Sequence, residues 1–385
     1  MPEGNHTFDV AVIGAGVFGS WTAWHLTRRG ARVALVDMYG PASSRASSGG
    51  ETRIIRMGYG ADEIYTRMSQ RSLTLWKELF AATGQPHFLP TGVLWMAGAD
   101  ASRLRETAAT LRRCGVEFEE LDAKELRRRY PQVNFDGVTL GIFEPGSGVL
   151  MARKSVQAVV VDAVKRGAAF HFAQAVVPSG AGALDGVALP NGNSLRAKEF
   201  VFACGPWLGK VFPEVLGPRI FPSRQEIFFF GTPAGDRRFA PPALPTWLFQ
   251  GDEMYGMPDL ENRGLKIAFD GHGERVDPDT QSRVASAAMA EKMSAYVAGR
   301  FPALRDAPIV ETRVCQYENS SNGDFLIDRH PERPNVWLVG GGSGHGFKHG
   351  PAVGEQVAAR ILDGAAGEPR FSLASKGTVQ QRAVY

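Results

Sequence analysis

Gly14, Gly16 and Gly19 stand in G-x-G-x-x-G spacing, and Asp37 follows about 20 residues further on. Glycines so spaced suit a pyrophosphate. The first permits a tight turn, the second lets the backbone approach the phosphates, and the third lets a helix pack closely on a strand. Asp37 can accept hydrogen bonds from a ribose hydroxyl, which disfavours a 2′-phosphate there. Arg53 and Arg56 come soon after, flanked by apolar residues. They form either a solvated face or a site where a loop meets the reactive end of a cofactor, and the second reading is preferred. A second glycine-rich turn, residues 340–346, precedes Phe347 and Lys348. It either brings another helix N-terminus to the cofactor or is an ordinary strand-to-helix loop. His345 and His349 are spaced i, i+4, but no third ligand is evident and glycines interrupt any helix, so no metal is expected.

These residues need a frame. Residues 10–13 are an apolar run that reads as a buried strand. Residues 17–29 follow as a helix with Gly30 placed to end it, and residues 33–36 form a second strand that stops at Asp37. A βαβ unit with the acid in register is the context that gives the glycine motif its force. The helix N-terminus offers unpaired N–H groups and roughly half a positive charge to phosphates. A bound dinucleotide is expected, and the motif alone does not separate FAD from NAD.

Further along, residues 62–82 have helical periodicity and 92–97 read as a strand. Residues 101–114 and 123–130 read as exposed helices, 138–143 as a strand and 154–165 as an amphipathic helix. Strands are expected near Phe170 and Val176 and at 200–203, with a hairpin turn at Asn191-Gly192. From about residue 221 the texture is β-rich and aromatic, with strands at 226–230, 247–250 and 265–269. A long helix at 280–300, a strand at 309–317 carrying Cys315, a strand at 336–339 and a helix at 351–362 complete the reading.

The chain has 385 residues and a net charge of +3. That charge is small and no long basic block occurs, so no nucleic-acid partner is expected. Three scattered cysteines, Cys114, Cys204 and Cys315, make neither a disulfide framework nor a zinc site and fit a cytoplasmic location. No apolar run reaches the ~18 residues of a membrane span, so no membrane partner is expected.

Taken together the residues resemble the monomeric sarcosine oxidase family of FAD-dependent amine oxidases, within the D-amino-acid-oxidase-like flavoproteins. The resemblance runs over nearly the whole chain. It rests on the N-terminal unit, Thr52-Arg53-Ile54-Ile55-Arg56, Phe143-Glu144-Pro145-Gly146-Ser147-Gly148-Val149-Leu150, Arg224-Gln225, Tyr255-Gly256-Met257-Pro258, Gly264-Leu265-Lys266, Val314-Cys315-Gln316-Tyr317, Phe325-Leu326-Ile327-Asp328 and Ser343-Gly344-His345-Gly346-Phe347-Lys348. Each piece is weak alone; their order and spacing together are specific.

The resemblance implies an α/β fold, with an FAD-binding Rossmann-like domain interleaved with a β-rich α+β substrate domain. Segments 1–86, 149–220 and 318–385 would form the first, and 87–148 and 221–317 the second. It implies an oxidase of a secondary amine, sarcosine or another N-alkyl or cyclic amino acid. The products would be an imine, which hydrolyses to aldehyde plus amine, and hydrogen peroxide from O2. At matching positions, Cys315 would carry FAD through a thioether to the ring's 8α-methyl, although a lone cysteine on a strand is otherwise usually inert core. Gly14, Gly16, Gly19, Asp37, Arg53, Gly344, Gly346, Phe347 and Lys348 would hold the cofactor. Arg56 and Lys348 would grip a substrate carboxylate. Lys266 would activate oxygen, although a lysine on an alternating strand could equally face solvent. Arg53 would pack near the flavin, and Tyr255 and Tyr317 would line the pocket. A monomer is expected.

Three positions depart from the family pattern. Gly49 stands where sarcosine oxidases carry a histidine, Asp270 where they have a pocket histidine with His272 two residues on, and Glu318 begins a more polar and acidic stretch. Acids near the pocket favour a cationic or polyhydroxylated substrate, or they belong to a solvated loop. Alternatives are therefore a cyclic imino acid such as proline or pipecolate, a fructosyl-amino-acid-type oxidase, and a flavin dehydrogenase passing electrons to a quinone or carrier protein.

Overall fold

The computed structural model describes residues 8–190 and 192–381. Its first strand, Phe8–Ile13, lies inside a seven-stranded sheet. The order across that sheet is Leu326–His330, Arg333–Gly340, Ser194–Phe202, Phe8–Ile13, Val33–Asp37 and Ala169–Phe172, with Gly186–Ala188 paired off this path to Ser194–Phe202. The four central pairings are parallel and the Leu326–His330 edge is antiparallel. A parallel sheet is covered on both faces, which is why Val10, Ala11, Val12 and Ile13 are all buried and read as one continuous apolar run.

The helix Val17–Arg28 covers this sheet and packs against Gly350–Asp363 and Ala152–Lys165. Its contact with Gly350–Asp363 is backbone-close. A Cβ on Gly354 would lie 2.6 Å from the Trp21 carbonyl carbon and 2.7 Å from Thr22 N. Trp21 meets Trp76 of the helix Glu63–Thr83 edge-on, with ring centroids 4.9 Å apart. Trp21 thus joins three helices, meeting the second through Trp76 and the last through Gly354, and the last of these follows the second glycine-rich turn.

A second sheet has eight strands, in the order Ile309–Ser320, Ile220–Phe230, Leu265–Phe269, Met254–Met257, Thr246–Phe249, Val93–Ala97, Leu140–Glu144 and Glu119–Asp122. A three-stranded sheet, Thr52–Ile55, Gly148–Met151 and Phe88–Leu89, completes the set. Thr52–Ile55 carries Arg53; Arg56 follows its end. Two large sheets and a helical layer agree with the α/β reading, the first sheet having the dinucleotide-unit topology and the second being mostly antiparallel.

Several expected elements differ in extent. The helix expected at 280–300 is Ala287–Arg300. Ser286 caps it, its hydroxyl accepting from Met289 N at 3.3 Å. The residues before it are held extended by Arg224, which donates to the carbonyl oxygens of Ser282 and Val284. A guanidinium from another strand therefore overrides local helical periodicity. The strand expected at 309–317 runs on to Ser320, because Ile220–Phe230 pairs with it along its whole length. Val176 makes only an isolated bridge to Ala188. Gly192 has φ +80°, in the left-handed region, while Asn191 lies outside the described residues. No helix among the described residues is long and apolar enough to cross a membrane.

Gly354→Val should destabilise the protein by about 2 kcal/mol or more through overpacking at the helix crossing. Denaturant unfolding followed by far-UV circular dichroism measures it, and Gly364→Ala, where a Cβ meets nothing but φ is +65°, gives the scale of a purely backbone penalty.

Candidate active site

A cavity of about 530 Å³ opens at the carboxyl end of the first strand. Its wall runs from Gly14, Gly16 and Asp37 past Arg53 and Tyr317 to Gly344, Gly346 and Phe347. The glycines are required by contact. A Cβ on Gly14, at φ +107°, would sit 2.3 Å from Ala203 O, and one on Gly19 would sit 1.9 Å from Gly14 O. On the opposite wall, Gly344 has φ +78° and would press a Cβ to within 2.9 Å of the Tyr317 ring. Gly16 caps the helix Val17–Arg28 without a side chain and lines the cavity, while Val17 N donates to Ser48 Oγ at 3.0 Å. Asp37 accepts from Ala15 N at 2.7 Å and Tyr39 N at 2.8 Å. A carboxylate has about four lone-pair sites, so capacity stays for a ligand hydroxyl. These groups fit the phosphates and ribose of a dinucleotide. Ser47 Oγ and Glu318 Oε1, at or beside the same cavity, are buried and lack a hydrogen-bond partner among the described residues.

Arg53 joins the cavity to a second cluster. Its Nη2 donates to Ser47 O at 2.6 Å and lies 3.3 Å from Cys315 Sγ. Its Nη1 donates to Thr52 O at 2.9 Å. Its guanidinium is 6.0 Å from the Phe347 ring. Lys266 comes from the neighbouring strand Leu265–Phe269 and is 3% exposed. Its Nζ donates to Thr52 O at 3.0 Å and to Thr52 Oγ1 at 2.9 Å. Desolvation, then the Arg53 charge, pulls the lysine down to about 7. Lys266 does not face solvent, because Leu265, Lys266, Ile267 and Ala268 are all buried and the strand is covered on both faces. Cys315 lies opposite Gln225 on the long strand pair, and its thiol is near Ser47 O at 3.7 Å.

Arg56 and Lys348 are 5% and 4% exposed. Arg56 donates to Gly58 O and lies over the rings of Tyr59 at 4.3 Å and Trp95 at 4.6 Å. Lys348 Nζ donates to Tyr59 Oη at 2.8 Å and His345 O at 2.9 Å. Desolvation first, then Arg56, holds Lys348 well below the usual lysine range. Asp270 faces both cations. Desolvation raises its carboxyl to about 6 while Arg56 and Lys348 oppose the rise. Desolvation raises both the Tyr255 and Tyr317 phenols, and Asp270 adds to the rise in each. Arg56, Lys348, Asp270, Tyr255 and Tyr317 therefore share one electrostatic environment, with Lys266 and Arg53 beside it.

Two departures gain a physical meaning. A Cβ on Gly49 would lie 1.8 Å from Ser43 O, so no side chain fits at that position in this loop. His272 is engaged by Gln380 Nε2 at 2.5 Å and stands edge-on to Tyr317 at 6.3 Å. Desolvation lowers its pKa, so it is a neutral wall residue. Desolvation also pushes the Glu318 carboxyl up to about 8.

Sequence reasoning missed the residue that holds Arg56 in place. Glu144 is 1% exposed and accepts from Met57 N at 2.7 Å, Gly58 N at 2.9 Å, Trp95 Nε1 at 2.7 Å and Ser147 Oγ at 2.5 Å. One carboxylate thus fixes both the backbone after Arg56 and the ring beneath it. The available signal was an acid ending an otherwise apolar strand. Tyr59 was missed as well, being neither charged nor in a motif. Among the described residues no group of three or more His, Cys, Asp or Glu is placed to hold a metal.

Glu144→Ala should cost about 3 kcal/mol, since it strands buried donors as well as removing charge-assisted bonds. Glu144→Gln, which keeps the shape, should cost less, and chemical denaturation of the three proteins orders them.

A family model described as FAD dependent oxidoreductase matches residues 9–360. The chain is 31% identical over 373 residues to a monomeric sarcosine oxidase of Streptomyces avermitilis, covering 94% of this chain and 96% of that protein. It is 30% identical over 380 residues to an N-methyl-L-tryptophan oxidase of Citrobacter koseri, covering 95% and 97%. Among solved structures, an L-proline dehydrogenase from P. horikoshii superposes with a TM-score of 0.84 at 22% identity, over 96% of this chain and 97% of that one. A fructosamine oxidase from Aspergillus fumigatus superposes with a TM-score of 0.81 at 22% identity, over 95% and 89%.

Proposed function

The chain belongs to the family of FAD dependent oxidoreductases, and from that premise we propose that it is an oxidase of secondary amines bearing a carboxylate. One observation carries the reading: Arg56 and Lys348, two buried basic side chains from distant parts of the chain, converge on each other and on Asp270, while Lys266 is held on Thr52 beside Arg53 of the dinucleotide cavity. Burying such groups is costly unless they are paired and hydrogen-bonded, and a bound carboxylate would supply such a pairing.

Bound FAD supplies a two-electron acceptor for the C–H bond beside the amine and passes the electrons to oxygen, giving hydrogen peroxide. Gly14, Gly16, Gly19, Asp37, Arg53, Gly344, Gly346, Phe347 and Lys348 hold the cofactor, and Cys315 is its covalent anchor. The support for the anchor is a thiol kept next to Arg53 at the edge of the same site. Arg56 grips the substrate carboxylate with its planar fork, and Lys348 completes the clamp. Tyr255 and Tyr317 close the pocket around the amine. Lys266 stabilises negative charge as it develops on oxygen, in a place where water does not screen it. The amine is a larger N-alkyl or cyclic amino acid, or a sugar-derived amine. Asp270 favours the last, since a carboxylate facing the pocket accepts hydrogen bonds from sugar hydroxyls.

We assign the segments 1–86, 149–220 and 318–385 to the FAD-binding domain and 87–148 and 221–317 to the substrate domain. Almost all strands of the two large sheets divide along these lines. We also read the protein as a cytoplasmic monomer, supported by three free cysteines.

Anaerobic mixing with sarcosine, N-methyl-L-tryptophan, proline, pipecolate and a fructosyl amino acid tests the function. One class should bleach the flavin band rapidly, and none doing so would reject amine oxidation. Colour staying with the acid-precipitated protein is expected from covalent attachment, and colour left wholly in the supernatant would reject it. Admitting air then tests Lys266. Lys266→Met should slow reoxidation at least tenfold while leaving reduction within about threefold. In the wild type, reoxidation should slow as pH rises through about 7, because the ammonium form is present below the lysine's lowered pKa and lost above it.

A further inference from the structure

Lys348 ends a hydrogen-bond chain whose direction can be worked out from its far end. His345 Nε2 lies 3.0 Å from Gly323 O. A carbonyl oxygen only accepts, so Nε2 carries the proton and Nδ1 of the neutral ring is a lone pair. Tyr59 Oη is 3.3 Å from that Nδ1 and sends its one proton there. The tyrosine oxygen is then left to accept. It accepts from Lys348 Nζ at 2.8 Å and from His349 Nε2 at 2.7 Å. His349 Nδ1, buried without a partner, is then a bare lone pair, which is cheaper to leave unmade than an N–H. Lys348 makes its other hydrogen bond to His345 O at 2.9 Å.

Both hydrogen bonds of Lys348 are donations. An uncharged amine has two N–H groups, satisfies both acceptors and keeps its lone pair. An ammonium would hold a third N–H with no acceptor among the described residues. The charged and titratable groups around Nζ come from several elements. Arg56 follows the strand Thr52–Ile55, Glu144 ends Leu140–Glu144, and Asp270 follows Leu265–Phe269. Tyr59, Tyr65, His345 and His349 pack around it, and the Asp62–Arg370–Asp324 cluster lies behind Tyr65. Burial and Arg56 act against the charged lysine more strongly than Asp270 and Glu144 act for it.

Resting on the carboxylate-clamp reading above, we propose that Lys348 is an uncharged amine before substrate binds and accepts the proton that an ammonium substrate must lose before it is oxidised. The substrate N–H bond breaks, and its electron pair stays on that nitrogen as the lone pair the oxidation needs. A new N–H bond forms at Lys348 Nζ, and no electrons leave the pair of molecules. The lysine becomes an ammonium facing the substrate carboxylate. Docking of the carboxylate favours that charge, so anchoring one end of the substrate drives deprotonation of the other.

Propionate, a carboxylate without an amine, isolates this event. The FAD-loaded enzyme is titrated calorimetrically at pH about 8, below the ordinary lysine value of about 10.4, in two buffers of different ionisation enthalpy. Binding should take up close to one proton per site. In Lys348→Met and Lys348→Gln, with binding followed by perturbation of the flavin band, uptake should fall to near zero. Wild-type binding without uptake would overturn the proposal, as would equal uptake in wild type and variants, which would move the proton to another group such as Asp270. If neither propionate nor any N-methyl amino acid perturbs the flavin band, the carboxylate clamp itself fails, and that result is separate from the first two.

Discussion

The structure depends on keeping three basic side chains, Arg56, Lys266 and Lys348, out of water. A buried cation is tolerated when its N–H groups are met by fixed acceptors, or when it gives up its charge. Both solutions occur here. Lys266 leans on the backbone and hydroxyl oxygens of Thr52 and sits near the edge of losing its proton. Lys348 leans on Tyr59 and on the His345 carbonyl. Arg56 is given the most support: Glu144 braces its backbone neighbours and Trp95 and Tyr59 offer ring faces.

That constraint explains why distant segments meet. Thr52, Arg53 and Arg56 come from the small sheet, Lys266 and Asp270 from the large antiparallel sheet, and Lys348 from the turn before the last long helix. The Trp21–Trp76 contact and the close crossing at Gly354 fix that last helix on the dinucleotide unit. Packing far from the pocket thereby sets where the Lys348 amine stands relative to Arg56. Arg53 lines the cofactor cavity and also touches Thr52, which holds Lys266, and the Cys315 thiol.

The N-terminal unit was legible in the sequence because its signals are local: an apolar run, three spaced glycines, a helix and an acid, all within one βαβ stretch. Most other strands and helices were legible from periodicity for the same reason. The start of the helix at Ala287 was not, because Arg224, far off in the chain, holds the preceding residues extended. Residue composition left Lys266 ambiguous between solvent and site, since only tertiary packing shows that its strand, Leu265–Phe269, is buried on both faces. Glu144 and Tyr59 were invisible as site residues because their partners lie at Met57, Trp95, Lys348 and the two histidines, contacts that no spacing rule predicts. Asp270 was noticed as a departure, yet its meaning depends on facing two cations across the pocket.

The central claim is that the buried cations recognise a carboxylate. The most direct measurement compares oxygen consumption with the N-alkyl or cyclic amino acid that the enzyme oxidises best and with the primary amide of the same compound. The amide keeps the amine, the shape and the reacting C–H bond while losing the charge. A fall in kcat/KM of at least about a hundredfold, roughly 2.7 kcal/mol of transition-state stabilisation, is the result the account predicts. Similar kcat/KM values for acid and amide would contradict it, leaving Arg56 and Lys348 without the ligand that justifies their burial.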